Sequence, residues 1–446
     1  MDVAFLIEQA LATEGMSMSA SQPLTNDSMR REPKLQFRFR KSTHAAGNII
    51  WTDKYVALDF VALGEAADSF PDSGRIGFKK WLTSMCTITP KESLRQYHGL
   101  KAIWTKFGNC FPILNSLQSY EPIMRASIRR LLHDLIADGV QWVDFRSIFF
   151  GQYFLEGDET PVSDYTDFLR IWTEEVQLFR SSEEGQNFWG CRFIWTCLRS
   201  WDKKQVVEHM KGCVEMKKKF PDLICGFDCV GYEPAGRSLA DLTPELFWFK
   251  KRCLENGVDI PFFFHAGECL GDGDETDENL FDAILLGTRR IGHGFSLFKH
   301  PLLMEMVKSR RIMIESCPIS NEVLRLTSSI KTHPLPSLLA RGIPCCLAND
   351  DPGVLGYGTS GVSHDFWQAL QGWENLGLEG LGSLAENSIR WACFTDQSKK
   401  EWDKDIADGK HGQGLRAQRM REWAEEWNSY CEWIVREYGL DYGGGL

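Results

Sequence analysis

Residues 261–268 read Pro-Phe-Phe-Phe-His-Ala-Gly-Glu, three consecutive phenylalanines running into a histidine, two small residues and a carboxylate. An unbroken apolar run of this kind suits a strand buried on both faces, as parallel sheets and barrels bury theirs. Polar residues begin where that strand must stop. Ala266 and Gly267 let the backbone turn sharply, so His265 and Glu268 can reach one point and a ligand and an acid can share it. Alone, the octet describes equally well a core strand ending in a solvated turn. The flanking sequence decides between the two.

On both sides of the octet a rhythm recurs. Residues 139–146, 191–198, 224–230, 260–264, 289–292, 312–316 and 344–348 read as short strands, and helical segments fill most of the intervals. The predicted helices include 120–138, 301–310 and 244–255, the last with Thr243 as its cap and Pro244 in its first turn. Strand and helix alternating without hairpin signals predict parallel strands joined by right-handed crossovers. Seven strands are legible, one fewer than a closed (β/α)8 barrel of the TIM type takes. Such barrels carry their chemistry at the C-terminal ends of the strands, where Asp228, Gly231, His265, Glu268, His293, Glu315, Asp350 and Asp351 all fall. A doubly wound open sheet is the alternative, and it would show a glycine-rich phosphate turn after an early strand, which this sequence lacks.

Outside the rhythm, residues 3–11 have helical spacing, residues 17–48 show no period and read as an irregular surface excursion, and residues 49–111 read as helices joined by turns. After the Gly353–Gly361 loop come helices over 363–395, then a helix over 413–438 laid on the barrel exterior and a frayed GGGL end. The expected organisation is a barrel domain over 1–400 and a C-terminal helical extension over 401–446.

Hydrophobic residues make up 43% and charged residues 25%, ordinary globular usage. A net charge of −11 disfavours nucleic acid as a partner, and Lys217 to Lys219 read as a solvated helix end. No apolar run is long enough to span a membrane, and the opening residues lack a signal-peptide pattern. The 14 cysteines show no CxxC pair and many sit in apolar runs, which favours buried thiols in a reducing compartment and hence the cytoplasm. A longer natural N-terminus carrying a signal would place the protein outside the cell. The expected partner is a small molecule, neutral or cationic, and the sequence sets no oligomeric state.

Neutral imidazole and carboxylate oxygen suit zinc, and a bound metal lowers the pKa of water toward neutrality. His265 and Asp350, from different strands, are candidate ligands; His293 can handle the water's proton, Glu268 can act as an acid if burial raises its pKa, and Asp351 can orient water or substrate. Taken singly, a histidine between glycines or a DDPG turn is more often structural. Taken in order at successive strand ends, the catalytic reading prevails.

The ordered motifs GFDCVG (226–231), FFFHAGE (262–268), TRRIGHG (288–294), ESCPISNEVL (315–324), ANDDPG (348–353) and SLAENSIRWAC (383–393) carry a resemblance to a known family. They resemble the adenosine deaminase superfamily, closest to the adenosine deaminase-related growth factors and their fungal relatives. The resemblance covers residues 220–395, with weaker similarity over 120–146. It implies a metal-dependent hydrolase barrel in which zinc-bound water attacks C6 of adenosine, giving inosine and ammonia. It further implies His265 and Asp350 as zinc ligands, Glu268 as proton donor to purine N1, His293 and Asp351 at the attacking water, and Gly231, Gly267 and Asp351 at the substrate. The other zinc deaminases, with H-x-E and P-C-x-x-C, are excluded because neither pattern occurs.

One departure stands out. The family takes two more zinc ligands from an H-x-H pair ending its first strand, and none of the ten histidines here lies two residues from another. The absent pair and the absent eighth strand point to one place, just ahead of the 3–11 helix. Either the reading frame begins too late or the chain has lost its metal site. In both cases zinc is expected to bind weakly and the chain to be poorly active, with a non-catalytic nucleoside-binding or signalling protein as the alternative. His44 is a possible substitute ligand without a spacing argument.

Overall fold

The computed structural model describes residues 2–43, 45–95, 98–149, 151–356, 358 and 361–442; His44 and the GGGL end lie outside them. Near the N-terminus β1 (Met16–Ala20), β2 (Leu35–Phe39) and β3 (Val61–Ala62) pair antiparallel in the order β2-β1-β3. The 17–48 stretch is therefore no irregular excursion: its ladder runs from Met16 opposite Phe39 to Ala20 opposite Leu35. Met-Ser-Met-Ser-Ala carries no β-branched or aromatic residue, so local propensity hides the strand. Burial forms it instead, for all five residues of β1 are buried. Its apolar side chains join Leu6, Phe37, Phe78, Leu82 and Trp104 in a core of their own beside the main one.

The centre of the molecule is a run of seven parallel strands: β4 (Trp142–Ser147), β5 (Gly190–Leu198), β6 (Ile224–Val230), β7 (His265–Ala266), β8 (Arg290–His293), β9 (Met313–Ser316) and β10 (Cys345–Leu347). They pair in chain order, β4-β5-β6 and β7-β8-β9-β10, and a parallel bridge between Phe227 and Phe262 joins the two groups. These are the seven segments read from the sequence. In the fourth, regular pairing falls on His265–Ala266, and the three buried phenylalanines ahead of it touch β6 and β8 through isolated hydrogen bonds.

Two local expectations give way. The helix expected over 244–255 runs from Leu239 to Glu255; Ser238 Oγ accepts the Asp241 N–H at 3.2 Å, and Pro244 lies inside. Ser238 is the better-placed cap, and helix packing outweighs the proline. Lys217 is not solvated: its Nζ donates to the carbonyls of Pro221 (2.6 Å) and Ile224 (2.7 Å) and to Asp396 (2.6 Å), while Lys218 and Lys219 are exposed. The helix end that carries it is covered by the 391–396 segment, a contact that no local pattern announces.

Charges tie the strands together inside. Arg146 of β4 bonds Asp228 of β6 at 2.7 Å and Glu315 of β9 at 2.6 Å, and Arg290 of β8 bonds Glu315 at 2.5 Å and Asp144 of β4 at 2.8 Å. Among the described residues no strand pairs with the outer edges of β4 and β10. All six residues of β4 stay half-buried, whereas β5 is buried along nearly its whole length. A cavity of about 2080 Å³ opens beside these edges, lined by Leu131, Val143, Phe145, Leu347 and Ile389 and continuous with the mouth of the strands.

At the C-terminus, helices Lys399–Asp408 and Leu415–Tyr442 cap the opposite end, with Trp402 and Ile406 buried against Phe263, Trp391 and Cys393. The long helix packs on the exterior only through its first half; beyond Asn428 none of its described side chains is buried. No described helix is long and apolar enough to cross a membrane.

Replacing Glu315 with leucine deprives buried Arg290 and half-buried Arg146 of a partner at once. The expected loss is about 3–5 kcal/mol of unfolding free energy, read as a lowered midpoint in urea denaturation.

Candidate active site

Gly231 follows β6, His265 to Glu268 span the end of β7, His293 ends β8, and Asp350 and Asp351 follow β10. All of them line the cavity at its strand-end mouth except Gly267, whose backbone is already engaged: its N–H donates to Glu233 Oε2 at 3.3 Å and its carbonyl accepts from Ser296 N at 2.9 Å. A Cβ at Gly267 would lie 2.9 Å from Ser296 Oγ and 3.0 Å from Leu280.

Two of these residues adopt backbone conformations that side chains disfavour. His293 has φ 63° and Asp350 φ 55°, both left-handed. Such outliers cost of order 1–3 kcal/mol each and concentrate at functional sites. Gly292 has a simpler reason to lack a side chain, since a Cβ there would lie 3.0 Å from His265 Nδ1. The glycine before His293 makes room for the other histidine.

The ligating atoms of Glu268, His293 and Asp350 lie within 4.8 Å of one another. His293 Nδ1 is 3.5 Å from Glu268 Oε1, and its Nε2 is 3.9 Å from Asp350 Oδ2. His265 stands beside this trio, its ring centroid 5.1 Å from that of His293. The sequence reading paired His265 with Asp350; the structure also brings Asp350 together with His293 and Glu268.

Supporting residues fix each group. Asp228 Oδ1 accepts the His265 backbone N–H at 2.8 Å, while its Oδ2 lies 2.6 Å from His265 Nδ1 and accepts from Arg146 at 2.7 Å. Burial works to raise the Asp228 pKa, but His265 and Arg146 outweigh it and hold the carboxyl at about 2. A charged Asp228 holds a proton on His265 Nδ1 and fixes the ring, which makes Nε2 the ring atom able to meet a ligand. Asn321 Nδ2 donates to His293 Nδ1 at 3.2 Å, and Asn321 Oδ1 accepts from His333 Nε2 at 3.0 Å. That chain keeps the His293 proton on Nε2, on the Asp350 side. Burial lowers the His293 pKa to about 4, so the imidazole is neutral.

Ser320 Oγ donates to Asp350 Oδ2 at 2.6 Å, so the CPISN segment holds Asp350 and His293 from behind. Its Cys317 thiol is pushed well up by burial and is no nucleophile. Glu268 has a buried Oε1 with no hydrogen-bond partner. Burial and the carboxylates of Asp350, Glu233 and Asp351 raise its pKa well above the usual range. Burial and Asp350 raise that of Asp351 as well. The Glu268 loop is clamped by Glu233, which accepts the N–H of Glu268 at 3.0 Å and Asn279 Nδ2 at 2.9 Å.

Sequence reasoning gave no role to Arg146, Glu233 or Asn321 and noted Asp228 only as a strand-end residue. The available signal was a charged side chain within an apolar strand or beside Gly231, which is visible in Asp228-Cys-Val-Gly231-Tyr-Glu233.

Seven parallel strands alternating with helices, with histidines and carboxylates gathered at the strand ends, define the fold class as a parallel α/β arrangement of the TIM-barrel type. Adenine deaminase from Arthrobacter aurescens shares the fold with a TM-score of 0.52 and 18% identity, covering 74% of this chain and 97% of that one. Residues 102–408 match the family model for adenosine deaminase, and this chain belongs to that family. It is 33% identical to adenosine deaminase 2-A of Danio rerio over 332 residues, 71% of this chain and 63% of that protein. To adenosine deaminase 2 of Homo sapiens it is 34% identical over 322 residues, 70% of this chain and 61% of that protein. The chain thus spans less than two thirds of the length of either relative.

His293 gives the metal-free protein a pH dependence with a definite sign. It titrates near 4 folded and near 6.5 unfolded, so between these values the unfolded chain binds more protons and stability falls as pH drops. His293→Asn is expected to shrink the difference between the urea midpoints measured at pH values above and below the upper limit of that window.

Proposed function

We propose that this chain catalyses zinc-dependent hydrolytic deamination of adenosine, or a close purine nucleoside, to inosine and ammonia. The observation that carries the reading is Glu268: a carboxyl without a hydrogen-bond partner on Oε1, its pKa raised well above the usual range by burial and neighbouring carboxylates, facing neutral His293 and Asp350 in a chain of this family. A protonated carboxyl at that position donates to a ring nitrogen of a bound purine, which makes the neighbouring ring carbon electrophilic. His293 presents Nε2 toward Asp350, where it can hold or pass the proton of an attacking water. Asp351 and the backbone at Gly231 line the same mouth and orient the substrate.

The donor set suits zinc: the His265 imidazole, oriented by Asp228, and the Asp350 carboxylate are the types that hold it, and the acid stands near the latter. Zinc, when bound, supplies a water acidic enough to act as a nucleophile near neutral pH. Two protein ligands are fewer than the three usual in catalytic sites, so the chain is expected to hold the ion weakly and to turn over slowly. That shortage favours a second reading, a nucleoside-binding protein without catalysis on the same barrel. Fourteen free thiols, thirteen of them buried, support residence in a reducing compartment, and the net charge of −11 supports a small-molecule partner over nucleic acid.

Elemental analysis after dialysis against a mild chelator is expected to find well under one zinc per chain, and zinc supplementation to raise conversion of adenosine to inosine. Glu268→Gln should lower kcat by about 10²–10⁴-fold while adenosine still binds by calorimetry. Binding without any turnover at saturating zinc would instead establish the second reading, and a panel of adenosine, deoxyadenosine, adenine and methylated adenosines sorts the substrate.

A further inference from the structure

At the end of the strands opposite the catalytic mouth, two buried cysteines from distant parts of the chain meet. Cys225 is the second residue of β6, and Cys393 follows helix Gly377–Arg390. Their sulfurs and the Asp144 carboxylate lie within 4.8 Å of one another, and the Cys225 thiol donates to the Phe193 carbonyl at 3.3 Å. Arg290 Nη1 donates to Cys393 Sγ at 3.6 Å, and Cys393 N–H donates to Asp144 Oδ2 at 3.0 Å. Arg192 Nη1 reaches the Cys393 carbonyl at 3.3 Å. Neither thiol has a part in the deamination chemistry.

The grouping resembles a metal site, but the charges argue otherwise. Arg290 already occupies Asp144 at 2.8 Å, so a divalent cation would be set against a buried guanidinium. Guanidiniums close to sulfur favour a thiolate, the nucleophilic form of cysteine. Asp144 and Arg290 line the large cavity, which brings small solutes to the guanidinium that touches Cys393.

We propose that Cys225 and Cys393 form a peroxide-sensitive dithiol site that closes to a disulfide. The Cys393 thiolate attacks one oxygen of a hydroperoxide, forming a sulfenic acid and expelling hydroxide or alkoxide, which is protonated to water or alcohol. The Cys225 thiol then attacks that sulfur, the S–S bond forms and water leaves. Two thiols are oxidised and one peroxide is reduced. The bond ties β6 to the 391–396 segment, whose Asp396 already receives Arg192 and Lys217 at 2.6 Å each.

A second thiol pair provides an internal control. Cys197 and Cys229, in register on β5 and β6, have sulfurs only 3.6 Å apart, yet among the described residues no guanidinium hydrogen-bonds to either sulfur. If proximity alone governed oxidation, that pair would close first. The reduced full chain is treated with one equivalent of hydrogen peroxide, its remaining thiols are alkylated, and it is digested without reductant for mass spectrometry. The expected result is a 225–393 cross-linked peptide ahead of any 197–229 product, loss of two alkylatable thiols, reversal by dithiothreitol and an upward shift in Tm. Cys225→Ser should leave Cys393 as a sulfenic acid captured by dimedone, and Cys393→Ser should abolish both products. Appearance of 197–229 first, or oxidation of cavity-lining Cys346 without the 225–393 link, overturns the proposal. None of these readouts depends on zinc or on deamination.

Discussion

The constraint on which the rest of the structure depends is charge inside an apolar barrel. Arg146 and Arg290 point inward from β4 and β8 and are neutralised by Asp144, Asp228 and Glu315 from β4, β6 and β9. Each of the two guanidiniums bonds two carboxylates, so the relative heights of four strands are set together. A slip of one residue on any of them would turn a charged group into apolar packing, where an unpaired charge is far more costly than a lost contact. The same network reaches the active site, because Asp228 bonds both Arg146 and His265. Scaffold and site are thus one electrostatic unit.

At the mouth the balance reverses. Glu268, Asp350 and Asp351 crowd together with neutral His293, and no guanidinium or ammonium pairs with any of them among the described residues. Like-charged carboxylates at short range push one another toward the protonated state. Burial adds to this, and the Glu268 pKa stands well above the usual carboxylate range while its Oε1 has no hydrogen-bond partner. His293 and Asp350 are held here in left-handed backbone conformations, away from where their dihedral angles relax.

Much of this was legible before any coordinates. The seven strands, the placement of polar residues at their ends and the motifs HAGE, GHG and DDPG follow from local patterns of hydrophobicity and turn chemistry. What stayed hidden was non-local. β1 carries Met and Ser where a strand usually carries Val or Phe, and only its burial beneath helices makes it a strand. Lys217 reads as a solvated charge until Asp396, from the far end of the chain, arrives to meet it. The supporting residues Arg146, Glu233 and Asn321 were equally invisible, because each acts on a partner at least 28 residues away.

The sequence by itself determined the class of fold, the family and the residue types available for catalysis, since those depend on order along the chain and on short-range periodicity. Tertiary structure alone decided which of those residues converge: that Asp350 sits with His293 and Glu268 while His265 stands one ring away, that β4 and β10 keep unpaired edges beside a large cavity, and that Cys225 meets Cys393. Distances of a few ångströms between groups a hundred residues apart are fixed by how packed strands and buried charges settle against one another, and no local pattern encodes them.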